Sequence, residues 1–262
     1  MKILNDPRYF ILLFLLSFTM AGQLLLGFFQ DWTDVLASVV TAVVLELIIV
    51  GFRYKTWKSP LSALITGLGI GLLLSSHLTW PYILTSVLAI GIKHALRIDR
   101  NHIFNPNNVA MVIMLFFLPQ YAVSTPKQWT NGWEIMFIIL FFGFLAAYKA
   151  GRMDTVLAFA SGYALFAGIR HWGLGEPFYY AFGPMLGAAF QLFTFFMITD
   201  PKTTPSGRNQ RIWFGFAIAL SDAILRVAEV NHSLFYASFL VTLLIGLPLR
   251  IWKVMNNSRQ AE

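Results

Sequence analysis

Ten runs of apolar residues, separated by short connectors that hold most of the charge, leave this chain few ways to fold other than as a stack of membrane-crossing helices. Crossing roughly 30 Å of bilayer hydrocarbon takes about 20 apolar residues at a helical rise of about 1.5 Å each. The runs cover residues 9–29, 32–52, 61–76, 82–96, 108–118, 133–148, 155–169, 182–198, 212–227 and 234–252. Hydrophobic residues make up 57% of the chain and charged residues only 12%, where a water-soluble domain carries about 25% charged. The expected fold is an all-α integral membrane protein of about ten transmembrane helices, in one polytopic domain over residues 1–262.

Lys and Arg positions predict the orientation. With the N-terminus inside and a crossing at every run, all but three of the 19 Lys and Arg fall in inside segments. Those outside are Lys127, Arg170 and Arg226. Adding or dropping one span would reverse the bias of every later loop, so the positive-inside rule favours this count, with both termini on the cytoplasmic side of a bacterial inner membrane. Trp32, Trp80, Trp129, Trp133 and Trp172 fall at the outer ends, where interfacial rings collect. The net charge of +7 resides largely in these connectors, so the expected partner is the lipid bilayer and not nucleic acid. The run 9–29 is longer than a signal-peptide core and no A-x-A-type site follows it, so it is expected to remain as the first span. Ten spans divide into halves 1–120 and 128–262. Five spans per half would make the second half enter from the opposite side, as inverted repeats do.

Two polar segments stand out. The first contains Arg100, His102, Asn105, Pro106, Asn107 and Asn108, directly before the shortest apolar run. Pro106 suits the first turn of a helix and Asn105 its N-cap. Two readings are open: an ordinary capped helix start at the interface, or a polar segment that enters the membrane and offers a helix N-terminus to a ligand. The second follows the eighth run and contains Thr199, Asp200, Pro201, Lys202, Thr203, Thr204 and Pro205, with Gln191 and Thr194 one to two turns earlier. It is either a solvated turn after a Pro-terminated helix or, together with the first segment, one site.

Three ionisable residues fall within or at the ends of spans. A charge at the bilayer centre costs at least about 2.5–3.5 kcal/mol and is normally paired or placed on a pathway. Lys93, in the last turn of the fourth run, is expected to snorkel to the interface. Asp222 has Arg226 at i+4 and is expected to pair with it. Glu46 has no local partner, which makes it the stronger candidate for ion or proton traffic, with Asp222 second. Gly67, Gly69 and Gly71 form a small-residue stripe of the kind that lets helices approach closely. No Walker loop, dinucleotide fingerprint or nucleophile elbow occurs, there is no Cys, and the five His have no metal-ligand spacing. No catalytic residue or metal site is expected.

The stretch His102-Ile103-Phe104-Asn105-Pro106 with Asn108, and Phe196-Met197-Ile198-Thr199-Asp200-Pro201 with Thr203-Thr204-Pro205 and a basic stretch ending at Arg211, together resemble the signature segments of one family. It is the RnfD/NqrB family, membrane subunits of the Rnf electron-transport complex and of the sodium-translocating NADH:quinone reductase. Asp6-Pro7-Arg8-Tyr9 and Gln128-Trp129-Thr130-Asn131-Gly132-Trp133 look more like a standalone branch that includes accessory membrane proteins of enediyne gene clusters. The resemblance covers essentially the whole chain. It implies two inverted five-helix halves shaped like a urea transporter, and a flavin-associated, ion-coupled electron-transfer role alongside redox-partner proteins or quinone. The family attaches FMN to a threonine in a Ser-Gly-Ala-Thr type motif. Here the Ser-Gly pairs continue as Ser161-Gly162-Tyr163 and Ser206-Gly207-Arg208, so the flavin expected, FMN or riboflavin, is non-covalent. Two other functions fit the same composition: a transporter or channel for a small polar solute or ion, and a membrane scaffold for a biosynthetic complex.

Overall fold

The computed structural model describes residues 6–24, 31–55, 59–98, 101–124 and 133–259. The fold is all-α. Each of the ten apolar runs is helical within those residues: α1 (Pro7–Leu24), α2 (Trp32–Tyr54), α3 (Leu61–Leu73), α4 (Trp80–Ala95), α5 (Pro106–Phe117), α6 (Trp133–Lys149), α7 (Met153–Gly168), then α8 (Phe178–Phe182) and α9 (Ala188–Leu192) in the eighth run, α10 (Arg208–Val227), and α11 (Ser233–Val241) continued by α12 (Leu247–Arg259). Two short antiparallel ladders join connectors. Strand β1 (Leu74–Ser75) pairs with β4 (Val123–Ser124), and β2 (Arg97–Ile98) with β3 (Asn101–His102).

By length and composition, two of these helices can cross a membrane alone, Trp32–Arg53 and Ser233–Asn256, and a third span results if the pair Phe178–Leu186 and Ala189–Met197 is taken together. That pair bends by 56°. Pro184 removes a backbone donor and Gly187, in an extended conformation, breaks the ladder between them. The eighth run is therefore a broken helix, where the sequence suggests a continuous one. Helices α3 and α5 are short because a β strand or turn takes over at their ends.

The outer faces are apolar in a helical rhythm. On α2, Leu36, Val40, Val44 and Ile48 are all exposed at i+4 spacing; on α6, Phe137 and Phe141 are exposed by 61% and 65%. Water does not tolerate stripes of this kind, so they mark contact with an apolar medium or partner. Inside, the polarity is reversed. Lys93, Thr155, Arg170, Gln191 and Asp222 are buried, as are the large rings of Tyr82, Phe159, Tyr163 and Phe193.

Small residues set the closest helix contacts. A Cβ on Gly67 would lie 2.6 Å from Val39 Cα, and one on Gly71 3.1 Å from Val35 Cγ1. Helices α2 and α3 thus touch backbone to backbone, and the Ser38 hydroxyl seals the seam by donating to the Gly67 carbonyl at 2.8 Å. Gly69, two residues from each, lies about 200° round the helix and faces Asn107 instead, so the three glycines do not form the single stripe expected.

Candidate functional site

Helix α5 starts as its sequence dictates. The Asn105 side-chain oxygen accepts the backbone N–H groups of Asn107 and Asn108 at 3.1 and 3.3 Å, and Pro106 takes the first helical position. The same Asn105 amide donates from Nδ2 to the Met197 carbonyl at 3.1 Å. Beside it, His102 Nε2 lies 3.2 Å from Asp200 Oδ2. The two polar segments, about a hundred residues apart, therefore meet. Arg250 of α12 binds both, donating to the His102 carbonyl at 3.0 Å and to the Lys202 carbonyl at 2.6 Å.

The turn after the broken helix is built on Asp200. Its carbonyl accepts the backbone N–H groups of Thr203 and Thr204, and Oδ1 accepts that of Lys202 at 3.0 Å. Burial pushes the Asp200 carboxyl up, but the hydrogen bond and charge of His102 outweigh it, leaving the group below the usual carboxylate range.

Between these segments, α1 and α3 lies a cavity of about 350 Å³. Its apolar walls include Ile11 and Leu15 of α1, Ile65 and Leu72 of α3, and Phe195 and Phe196. Polar groups enter from Thr66, Asn105, Asn107, Thr199 and Asp200, and the cations Arg8, Lys93 and Lys202 lie along its border. Gly69 makes room here. A Cβ at that position would fall 2.6 Å from Asn107 Nδ2, which donates to the Thr66 carbonyl at 3.3 Å. Such a space, apolar with a few fixed polar groups, suits a flat small molecule with a polar edge.

Of the residues singled out in the sequence, His102, Asn105, Pro106, Asn107, Thr199 and Asp200 line the cavity. Asn108, Thr203 and Thr204 do not. Asn108 turns the other way and donates to the Phe235 carbonyl at 3.3 Å, and the Thr203 and Thr204 hydroxyls donate to the Asp200 carbonyl at 3.3 and 2.8 Å. Thr203 and Thr204 brace the turn without facing the cavity, and Gln191, 3% exposed, lies outside its lining. Arg100 lies outside the described residues. Sequence reading missed the α3 contribution of Ser62, Thr66 and Gly69, although their spacing of four and three residues marks one helix face.

Two expectations about charge are corrected. Glu46 is not unpartnered: Lys93 Nζ lies 2.8 Å from Oε1 and His94 Nε2 2.8 Å from Oε2. Both partners come from α4, 47 and 48 residues on, where local spacing could not reveal them. Lys93 does not snorkel either. Its side chain is 6% exposed, because α2 and the β2–β3 hairpin cover the last turn of α4. Asp222 does pair with Arg226, at 2.7 Å, and also accepts the Ser233 hydroxyl at 2.6 Å. It is fully buried and lies apart from the cavity.

Compared with protein-family models and with curated proteins, the chain matches neither.

Proposed function

We propose that this protein is a ten-span membrane protein of the RnfD/NqrB type, built of two inverted halves, which holds a flavin non-covalently and passes electrons between partner proteins or quinone. The observation that carries this reading is the cavity. Both segments on which the family resemblance rests form its wall, bonded to each other through Asn105 and Met197 and through His102 and Asp200.

The residues present fit such a cofactor. A flavin needs apolar cover for its ring system, donors and acceptors for one polar edge, and positive charge near a phosphate. Phe195, Phe196, Ile65 and Leu72 would cover the ring; Asn105, Asn107 and Thr199 would meet the edge; Lys93 and Lys202 would attract the phosphate, while Arg8 is already held by the Asp6 carboxylate at 2.6 Å. When bound, the flavin supplies the electron-accepting chemistry. The chain orients it, excludes water along the α1 and α3 side and fixes the charge around it.

Packing repeats in part between the two halves. Helix α2 packs on α4 and α4 on α5 in the first half, as α7 packs on α10 and α10 on α11 in the second; α1 meets α6 and α5 meets α11 across the halves. A buried ionic contact occurs in each half: Glu46 with Lys93, and Asp222 with Arg226 beside the Tyr163 ring, whose centroid is 5.3 Å from Arg226 Cζ.

Purified in mild detergent, the protein should carry a yellow chromophore that is released on denaturation and leaves no fluorescent band on a denaturing gel. Asn105→Ala removes the α5 cap together with the bond to Met197 and should lower occupancy at least several-fold. Asp200→Asn should do so less. A colourless protein that binds neither added flavin nor a quinone overturns the electron-transfer reading in favour of a transporter or scaffold.

The topology has its own test. This Cys-free chain accepts single cysteines at exposed connector positions. Cysteines at Ser59 and Ser206 should resist outside-only reagents in intact cells, and cysteines at His77 and Ala228 should react. Labelling at Ser206 from outside would overturn the span count.

A further inference from the structure

Lys93 is a cavity-lining cation whose counter-ion stands behind the wall. Glu46 on α2 holds it from the far side at 2.8 Å and does not itself line the cavity. His94 completes the carboxylate's bonding. Arg97 Nη2 lies 3.2 Å from His94 Nδ1 and can only donate, so Nδ1 accepts and Nε2 carries the proton that is given to Glu46. Arg97 also donates to the Lys93 carbonyl at 2.8 Å, and Arg53 to the His94 carbonyl at 3.2 Å. Among the described residues, the charged and titratable groups next to this pair are His94, Arg97 and Arg53; Asp6, Arg8, His102, Asp200 and Lys202 stand elsewhere on the cavity lining, with Lys202 close enough to repel Lys93. Helix α3, packed on α2, contributes no charged residue. A lysine is a single cation on a flexible four-carbon stem, so it can serve one carboxylate or turn to another anion.

We propose that Lys93 is a ligand-operated proton latch: an anionic group entering the cavity draws its ammonium away from Glu46, and Glu46 takes up one proton from water. The inference rests on the flavin reading for its ligand, FMN, whose phosphate is the anion. The balance is simple. The phosphate gains the Lys93 ammonium as partner, and the Glu46 carboxylate, left half-buried without its cation, becomes a neutral carboxylic acid. An uncompensated charge in a low-dielectric wall is relieved by neutralisation. His94 keeps its bond to Glu46 in either state and so holds the carboxyl in place. Ligand entry is thereby coupled to the movement of one proton.

Calorimetric titration with FMN in buffers of differing ionisation heat counts the protons. The expected result is uptake approaching one proton per FMN, no uptake with riboflavin, and FMN binding without uptake in Glu46→Gln. Heats independent of buffer for bound FMN, or unchanged uptake in Glu46→Gln, overturn the latch while leaving the flavin reading intact. Infrared spectroscopy decides the matter without any flavin. Lys93→Met should show the carbonyl stretch of a protonated carboxylic acid at neutral pH, absent from the native protein and from Lys93→Met/Glu46→Gln. If FMN does not bind, the flavin reading and the FMN-operated latch are both overturned, whereas FMN binding without proton uptake overturns the latch alone. If the band is missing from Lys93→Met, the latch is overturned.

Discussion

Asp222→Asn is expected to destabilise the protein by about 3–5 kcal/mol, the usual loss when one member of a buried ion pair is removed. In a chain of this size that is a fall in Tm on the order of 10 °C. Asp222 is fully buried in α10, and both carboxylate oxygens are committed, one to Arg226 and one to the Ser233 hydroxyl at the start of α11. The amide keeps the shape and the acceptor toward Ser233 but leaves the Arg226 guanidinium without a counter-charge, in a site where the Tyr163 ring is its other close neighbour. The double variant Asp222→Asn/Arg226→Met should recover part of the loss, since two neutral groups cost less than one unpaired charge. Thermal unfolding in detergent measures it. An unchanged Tm in the single variant would show that the pair is idle. Flavin occupancy in the surviving folded protein should stay near native, because the pair lies apart from the cavity.

The glycines of α3 should divide by what they face. Gly67→Ala forces a methyl group to 2.6 Å from Val39 Cα, a backbone atom that cannot turn aside. Helices α2 and α3 must separate, and the Ser38–Gly67 bond at 2.8 Å is strained or lost. The expected cost is about 3 kcal/mol, at the upper end for overpacking, seen as lower yield and earlier thermal unfolding. Gly69→Ala places its methyl group as near, 2.6 Å, but to the far end of the Asn107 side chain, which can rotate. The fold should survive with a small change in Tm. The bond from Asn107 to the Thr66 carbonyl should break and the cavity wall be reshaped, so flavin should bind at least several-fold more weakly. If Gly67→Ala is as stable as the native protein, α2 and α3 are not in backbone contact. If Gly69→Ala binds flavin normally, Asn107 is not part of the ligand's surroundings.

Much of the architecture was legible along the chain. Each apolar run is helical over most of its described length because a helix satisfies its own backbone hydrogen bonds in an apolar setting. Helix α5 begins at Asn105-Pro106 because cap chemistry is local, and Asp222 finds Arg226 because i+4 is a contact on any helix. The eighth run misled: hydropathy does not register a break, and Pro184 with Gly187 bends it by 56° while leaving its composition apolar.

Of the site, the sequence by itself determined some parts and their local form: Asn105 as a cap, and a turn after the eighth run. Only the tertiary structure decided which parts face each other. It turned Asn107 toward the cavity and Asn108 toward Phe235, set Gly67 and Gly71 against α2 and Gly69 against Asn107, and gave Glu46 its partners from α4. The reason is one of range. Caps, turns and i+4 pairs are fixed by a few bonds of chain, whereas a buried charge must be met by whatever group the packing of distant helices brings within about 3 Å, and no spacing along the chain records that distance.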